Sequence, residues 1–297
     1  MPRAHRSIVL IAALLSLPPA LASSVSAAAP AVYGGEIAST DDPIVLRTGA
    51  SGRTLASTVL GFTAACESGR RYTFHGPVKV RSQTPGSLVM GALVMTRNAR
   101  GSFTGTYTAA QDLTSRTGSS RIEFTLQGRF DGRAASGTLR AVVDFVDVPV
   151  LSPTLPEQVT LLDRCSTGTL RWKASHRPGV VYGGATNQDE AIVLIRSKDR
   201  RSVASAHAGW HAACLPEGWV DFPETFTGFP LSAAGAFGDA FAWRYPSSSG
   251  TGENLYDYDL RGRLARGSGS GTFAAKVTYP DGSVCDSGPQ RWSVRST

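Results

Sequence analysis

"CSTGTLRWKAS", residues 165–175, is echoed at 285–296 by "CDSGPQRWSVRS". In both phrases a cysteine is followed three residues later by glycine and seven residues later by tryptophan. Leu170, Trp172 and Ala174 fall on one side of an extended chain, with Arg171 and Lys173 on the other. Trp292 and Val294 repeat the first side and Arg291 the second. Period-two alternation around a large aromatic residue describes a strand that buries one face. Trp172 and Trp292 are therefore expected in a core, and the phrase reads as a closing strand that occurs twice rather than as a catalytic motif.

The echo extends through the chain in the same order. "VYGG" stands at 32–35 and 181–184, "IVL" at 44–46 and 192–194, and "AAC" at 64–66 and 212–214. Further on, "FTLQGRF" (124–130) aligns with "YDLRGRL" (258–264), and "SGTL" (136–139) with "SGTF" (270–273). Ordered self-similarity broken only by deletions marks tandem copies of one domain, here 32–177 and 178–297. Each copy holds one early and one late cysteine, so the simplest pairing is Cys66 with Cys165 and Cys214 with Cys285.

Alternation recurs in nearly every patterned segment, with Phe124, Leu126 and Phe130 facing one way and Tyr258, Leu260 and Leu264 repeating them. Turn clusters such as "FDGRAAS" and "YPDGS" break the chain about every 8 to 12 residues. The fold class expected is all-β: two tandem antiparallel β-sandwich or barrel-like domains of about eight strands each.

Residues 1–27 carry Arg3, His5 and Arg6, the apolar run "IVLIAALLSL" and the small-residue ending "VSA", the pattern of a signal peptide. That run is too short to cross a membrane, and no transmembrane segment is expected in the mature chain. A secreted, extracellular location fits cysteines that pair. Cleavage removes Arg3 and Arg6, taking the net charge from +7 to +5. The remaining arginines are scattered, which is not the clustered footprint of a nucleic-acid partner. Weak attraction to acidic envelope polymers is the expected consequence.

The order Tyr-x-Gly, apolar strand, mid-domain Cys, Gly-x-Phe, Leu-x-Gly-x-Phe, Ser-Gly-Thr-Phe/Leu and Cys-x-x-Gly-x-x-x-Trp resembles a repeat domain of uncharacterised exported actinobacterial proteins. The resemblance covers most of both copies. It implies a secreted all-β fold and brings no known activity. "RGSFTGTYT" at 100–108 is similar to a hairpin of the avidin family, but over nine residues only; it reads as generic hairpin alternation.

No nucleophile elbow, metalloprotease helix, phosphate loop or Cys-x-x-Cys is present, so no catalytic residue, metal ligand set or cofactor is assigned. His207 and His211 share one strand face and read as solvated, because the first copy has Val59 and Thr63 there. The pairs Asp144/Asp147 and Asp257/Asp259 read as solvated or turn carboxylates. The asymmetry that stands out is aromatic. The first copy contains only Trp172, whereas the second has Trp210, Trp219, Trp243 and Trp292, with "EGWVDFPETF" and "AFAWRYP" in loop-like stretches. Trp219, Trp243 and Tyr245 are the candidate ligand-binding residues, since flat aromatic faces stack on sugars. The function expected is a non-catalytic secreted binding or adhesion protein for an envelope polysaccharide. The alternatives are a secreted carboxylate-dependent hydrolase and a purely structural surface protein.

Overall fold

The computed structural model describes residues 30–82, 90–112, 118–147, 160–216, 218–247, 250 and 252–297. The expected signal peptide lies outside them. The N-terminal half contributes β1 (Val32–Ile37), β2 (Pro43–Thr48), β3 (Leu55–Cys66), β4 (Arg71–Ser82), β5 (Ala92–Ala99), β6 (Ser102–Asp112), β7 (Gly118–Asp131), β8 (Ala134–Asp147), β9 (Thr160–Ser166) and β10 (Leu170–Ser175). The C-terminal half contributes β11 (Val181–Thr186), β12 (Ala191–Arg196), β13 (Ser202–Leu215), β14 (Trp219–Pro230), β15 (Ala236–Pro246), β16 (Glu253–Leu264), β17 (Ser268–Thr278), β18 (Val284–Asp286) and β19 (Gln290–Arg295). The molecule is all-β, with one sheet from each half.

In the first sheet the pairings β10–β1–β2–β3–β9–β8–β10 return on themselves and close a six-stranded barrel. A matching circuit, β19–β11–β12–β13–β18–β17–β19, runs through the second. Closure removes edges within each circuit, although β14 and β15 remain as the ends of the second sheet. Cys66 lies directly opposite Cys165 and Cys214 opposite Cys285. Both pairs are disulfides, as the order of phrases predicts, and they are at home in an oxidising compartment.

The tryptophan phrase closes each barrel. Trp172 and Trp292 are 1% and 2% exposed, and no hydrogen bond reaches either indole nitrogen. Packing alone holds them. Trp172 sits opposite Gly137, which sits opposite Gly128; Trp292, Gly271 and Gly262 form the same row in the other half. A Cβ at Gly128 would lie 2.4 Å from Trp172 Cζ2, and one at Gly262 only 2.2 Å from Trp292 Cζ2. The glycines of "QGRF", "RGRL" and "SGT" thus form the seat into which each indole fits. Burying such a side chain contributes about 4–6 kcal/mol before entropy is subtracted.

The halves differ at one place. In the first, β5 lies between β4, to which it is parallel, and β6, to which it is antiparallel. In the second, residues 231–235 lead straight from β14 to β15, and no pairing joins these two strands. They form the two ends of the second sheet.

The halves meet through a cluster of their own, made of Val32, Val45, Val181, Ala191 and Val193, all buried. The contact is reciprocal. A Cβ at Gly34 would meet Val193 Cγ1 at 2.8 Å and Val181 Cγ1 at 3.0 Å, and one at Gly183 would meet Val45 Cγ1 at 2.9 Å and Val32 Cγ1 at 3.1 Å. Equivalent residues of the two "VYGG" and "IVL" phrases therefore exchange roles across the interface, as in a self-complementary two-fold contact.

Candidate functional site

The valine interface continues into a polar cluster. On β13 the even residues Ala206, Ala208, Trp210 and Ala212 turn into the barrel, which sends His207, Gly209 and His211 to the other face. The first half covers that face. His207 is 9% exposed, with Nδ1 3.1 Å from Thr225 Oγ1 and 3.5 Å from Glu36 of the first half. The expectation that His207 and His211 are solvated is overturned, because it treated β13 as the outer surface of an isolated domain.

Glu190 precedes β12, its backbone N–H donating to Thr186 Oγ1 at 3.2 Å. Its side chain is 4% exposed and lies over Gly209, where a Cβ would come within 2.7 Å of Oε2. Two imidazoles converge on one of its oxygens. Glu190 Oε1 is 3.1 Å from His211 Nδ1 and 3.0 Å from Nδ1 of His75, which comes from β4 of the other half. The two rings stack with centroids 4.8 Å apart and an interplanar angle of 11°. Asp221 on β14 completes the group, its Oδ1 3.6 Å from His75 Nδ1. Although close to Glu190, His75 Nδ1 is out of line for a hydrogen bond, and it is left buried without a partner.

The charges in this group depend on one another. Burial would raise the Glu190 carboxyl, but the hydrogen bond from His211 and the nearby charges of both imidazoles outweigh it and hold it below its ordinary value. Burial would lower the His75 imidazole, yet Glu190 and then Asp221 raise it. Burial pushes Asp221 up against the pull of His75. Asp42, the counterpart of Glu190 at the shift of 148, is 3% exposed, and its Oδ2 has no hydrogen-bond partner. Burial, with the charge of Glu190 adding to it, pushes Asp42 up to about 6. The first half has Thr63 and Thr73 where the second has His211 and Asp221, and those hydroxyls lie 3.2 Å apart. Of these two related positions, only that of the second half carries the ligand-rich group, which His75 of the first half completes.

Trp219, Trp243 and Tyr245 lie on strands rather than loops; β14 is a sheet edge and so accommodates Pro223 and Pro230. The structure does not bring the three together. Trp219, 70% exposed, shares the outer face of β14 with Asp221, and its ring is 5.9 Å from that of His211. Trp243 and Tyr245 lie on the opposite, inner layer. Trp243 is half-buried, 5.6 Å from Phe226 and 5.2 Å from Tyr258, while Tyr245 is 51% exposed and 5.5 Å from Tyr256. Within this layer Tyr258 donates a 2.9 Å hydrogen bond to Glu224 Oε2. Burial raises the Glu224 carboxyl despite that bond. The corresponding residues of the first half are Ala109, Gln111, Phe124 and Gly76, so the tryptophan, Tyr245 and the carboxylate are particular to the second half, although Phe124 packs in an aromatic cluster of its own with Phe74 and Tyr107.

Asp144 and Asp259 are each paired with an arginine, and Asp257 and Asp259 line one groove of the second half together. Arg164 holds Asp144 through two hydrogen bonds of 2.7 and 3.0 Å, and Arg261 donates to Asp259 at 2.7 Å. Asp257 lies opposite Lys276 in the sheet. Sequence reasoning missed His75, Glu190 and Asp221 because they are far apart in the chain and come from two halves. The available signal was the replacement of Thr63 and Thr73 by His211 and Asp221 between otherwise matching strands.

No helix among the described residues is long and apolar enough to cross a membrane. Comparison with protein-family models, with curated proteins and with solved structures finds no match.

Proposed function

We propose that the chain is a secreted, non-catalytic binding protein made of two tandem copies of one β domain, whose ligand is a polysaccharide of the cell envelope. The observation that carries this reading is the aromatic layer of the second half. Tyr245 and Tyr256 leave ring surface open at the end of β15, Trp243 and Tyr258 continue the layer inward, and Glu224 supplies an acceptor in its midst. Such rings stack on sugar C–H faces, and a single carboxylate among them suits a hydroxyl. The layer lies on the side where the second half has no counterpart of β5, between two strands that remain unpaired with each other.

The test is isothermal titration of the mature protein with envelope polysaccharides, comparing wild type with Trp243→Ala, Tyr245→Ala and Trp219→Ala. Binding lost in the first two and kept in the third supports the inner layer as the site. Binding lost only in Trp219→Ala would move the site to the outer face of β14. Absence of binding across the panel would overturn the reading and leave the aromatic layer a packing feature of the second barrel.

A further inference from the structure

We propose that His75, Glu190, His211 and Asp221 form a site for one divalent transition metal, zinc by preference, which ties the two halves of the chain together. This is independent of the polysaccharide reading. The donor atoms lie within 4.8 Å of one another, with contacts of 3.0, 3.1 and 3.6 Å. A tetrahedron with metal–ligand bonds of 2.0–2.1 Å has edges of about 3.3–3.4 Å, so three of the six donor separations are already close to what an ion requires and the rest must close from at most 4.8 Å.

Three further observations point the same way. His75 Nδ1 is buried, aimed at the group and without a hydrogen-bond partner, although buried polar nitrogens are rarely left so. The crevice bounded by His75, Glu190 and Asp221 holds about 10 Å³, room for a single water-sized guest. Three carboxyls, Glu190, Asp221 and Asp42, gather at this crevice with the two imidazoles of His75 and His211. A dication balances that excess directly.

The donor set decides which ion. Two imidazole nitrogens with two carboxylates suit zinc and its transition-metal neighbours, whereas calcium and magnesium prefer all-oxygen shells of six or more. Four protein ligands leave no open coordination position, which marks a structural centre. The site is nonetheless within reach of an incoming ion: the side chains of His75, His211 and Asp221 are 22–26% exposed. Because His75 comes from β4 and the other three from β12's leading turn, β13 and β14, the ion spans the interface beside the valine cluster.

The test uses the full mature chain stripped with a chelator and titrated with cobalt and then zinc. One cobalt per chain is expected, with the intense visible absorption of four-coordinate cobalt, displaced by one equivalent of zinc, and with quenching of Trp219 beside His211. Both signals should be lost in His75→Ala and in Glu190→Gln and retained in His207→Ala. Failure of the wild type to take up stoichiometric cobalt overturns the proposal whatever the variants do, so a misfolded variant cannot shelter it. Wild-type uptake that persists in folded Glu190→Gln, or a weak six-coordinate spectrum, overturns it as well.

Discussion

Replacing Gly262 with alanine inserts one methyl group where the second barrel has no room for it. The new carbon would lie 2.2 Å from Trp292 Cζ2 and 2.5 Å from Cη2, with the Ser270 carbonyl oxygen at 2.8 Å. Carbon atoms in contact sit about 3.5–4.0 Å apart, so the indole must retreat by more than an ångström. It cannot do so freely, because Trp292 is 2% exposed and its ring lies 6.0 Å from that of Phe237. Overpacking a core costs about 1–3 kcal/mol, and outright loss of a buried tryptophan about 3–5. The expected destabilisation is therefore about 3 kcal/mol, or roughly 10 °C in the melting temperature of a domain this size. Urea unfolding followed by near-ultraviolet circular dichroism measures it. Combining Gly262→Ala with Trp292→Leu isolates the cause, since the double variant should fall short of the summed single effects by at least 1 kcal/mol, on the order expected for touching residues. Gly282→Ala is the comparison: φ is 82° there and nothing lies within 4 Å, so only about 1 kcal/mol of backbone strain is expected. A Gly262→Ala protein as stable as wild type, or strict additivity with Trp292→Leu, would refute the glycine seat.

Asp42 gives a pH dependence of defined sign. Its folded carboxyl is held up to about 6 from an ordinary 3.8, so folding favours the protonated form and stability falls as pH rises through that window. Asp42→Asn should unfold like wild type near pH 4 and be more stable by on the order of 3 kcal/mol above pH ~6.5, measured by urea titration in chelator; a benefit that grows toward acid would contradict the burial argument. The disulfides close loops of 99 and 71 residues, so replacing Cys66 and Cys165 together by serine should cost about 4.7 kcal/mol and the Cys214/Cys285 pair about 4.4. Unreduced peptide mapping should recover Cys66 joined to Cys165, and recovery of Cys66 with Cys214 would be incompatible with the barrels.

The barrels were legible because their determinants are local and recur. Alternation around Trp172 and Trp292 gave the inward faces, and one early and one late cysteine per half gave the bridges that the structure contains. The extra strand β5 was not legible: "ALVMTRNA" alternates like its neighbours, and nothing local states that it runs parallel to β4. The interface cluster escaped for a related reason. His207 and His211 carry the pattern of a strand's outward face, and whether that face meets water or another barrel is decided by Gly34, Gly183 and the valines around them, which read as ordinary strand residues. Trp219 and Trp243 are visible in the sequence as an asymmetry of the second half, but their assignment to opposite faces depends on strand parity that Pro223 and the surrounding polar residues disguise as loop.

The reciprocal valine contact has a buried core of five side chains, with Val59, Val180 and Ile195 packed against it. Between separate subunits such a contact would close only in proportion to their concentration. Here only residues 176–180 separate β10 from β11, and a tether that short keeps the barrels at an effective concentration in the millimolar range. Covalent linkage thus keeps the contact closed at any dilution. It also frees the two sides from having to be identical: a true homodimer would need to build its histidine group twice around the axis, whereas a single chain can place one imidazole on one barrel and one on the other, and leave the mirror position to a pair of threonines.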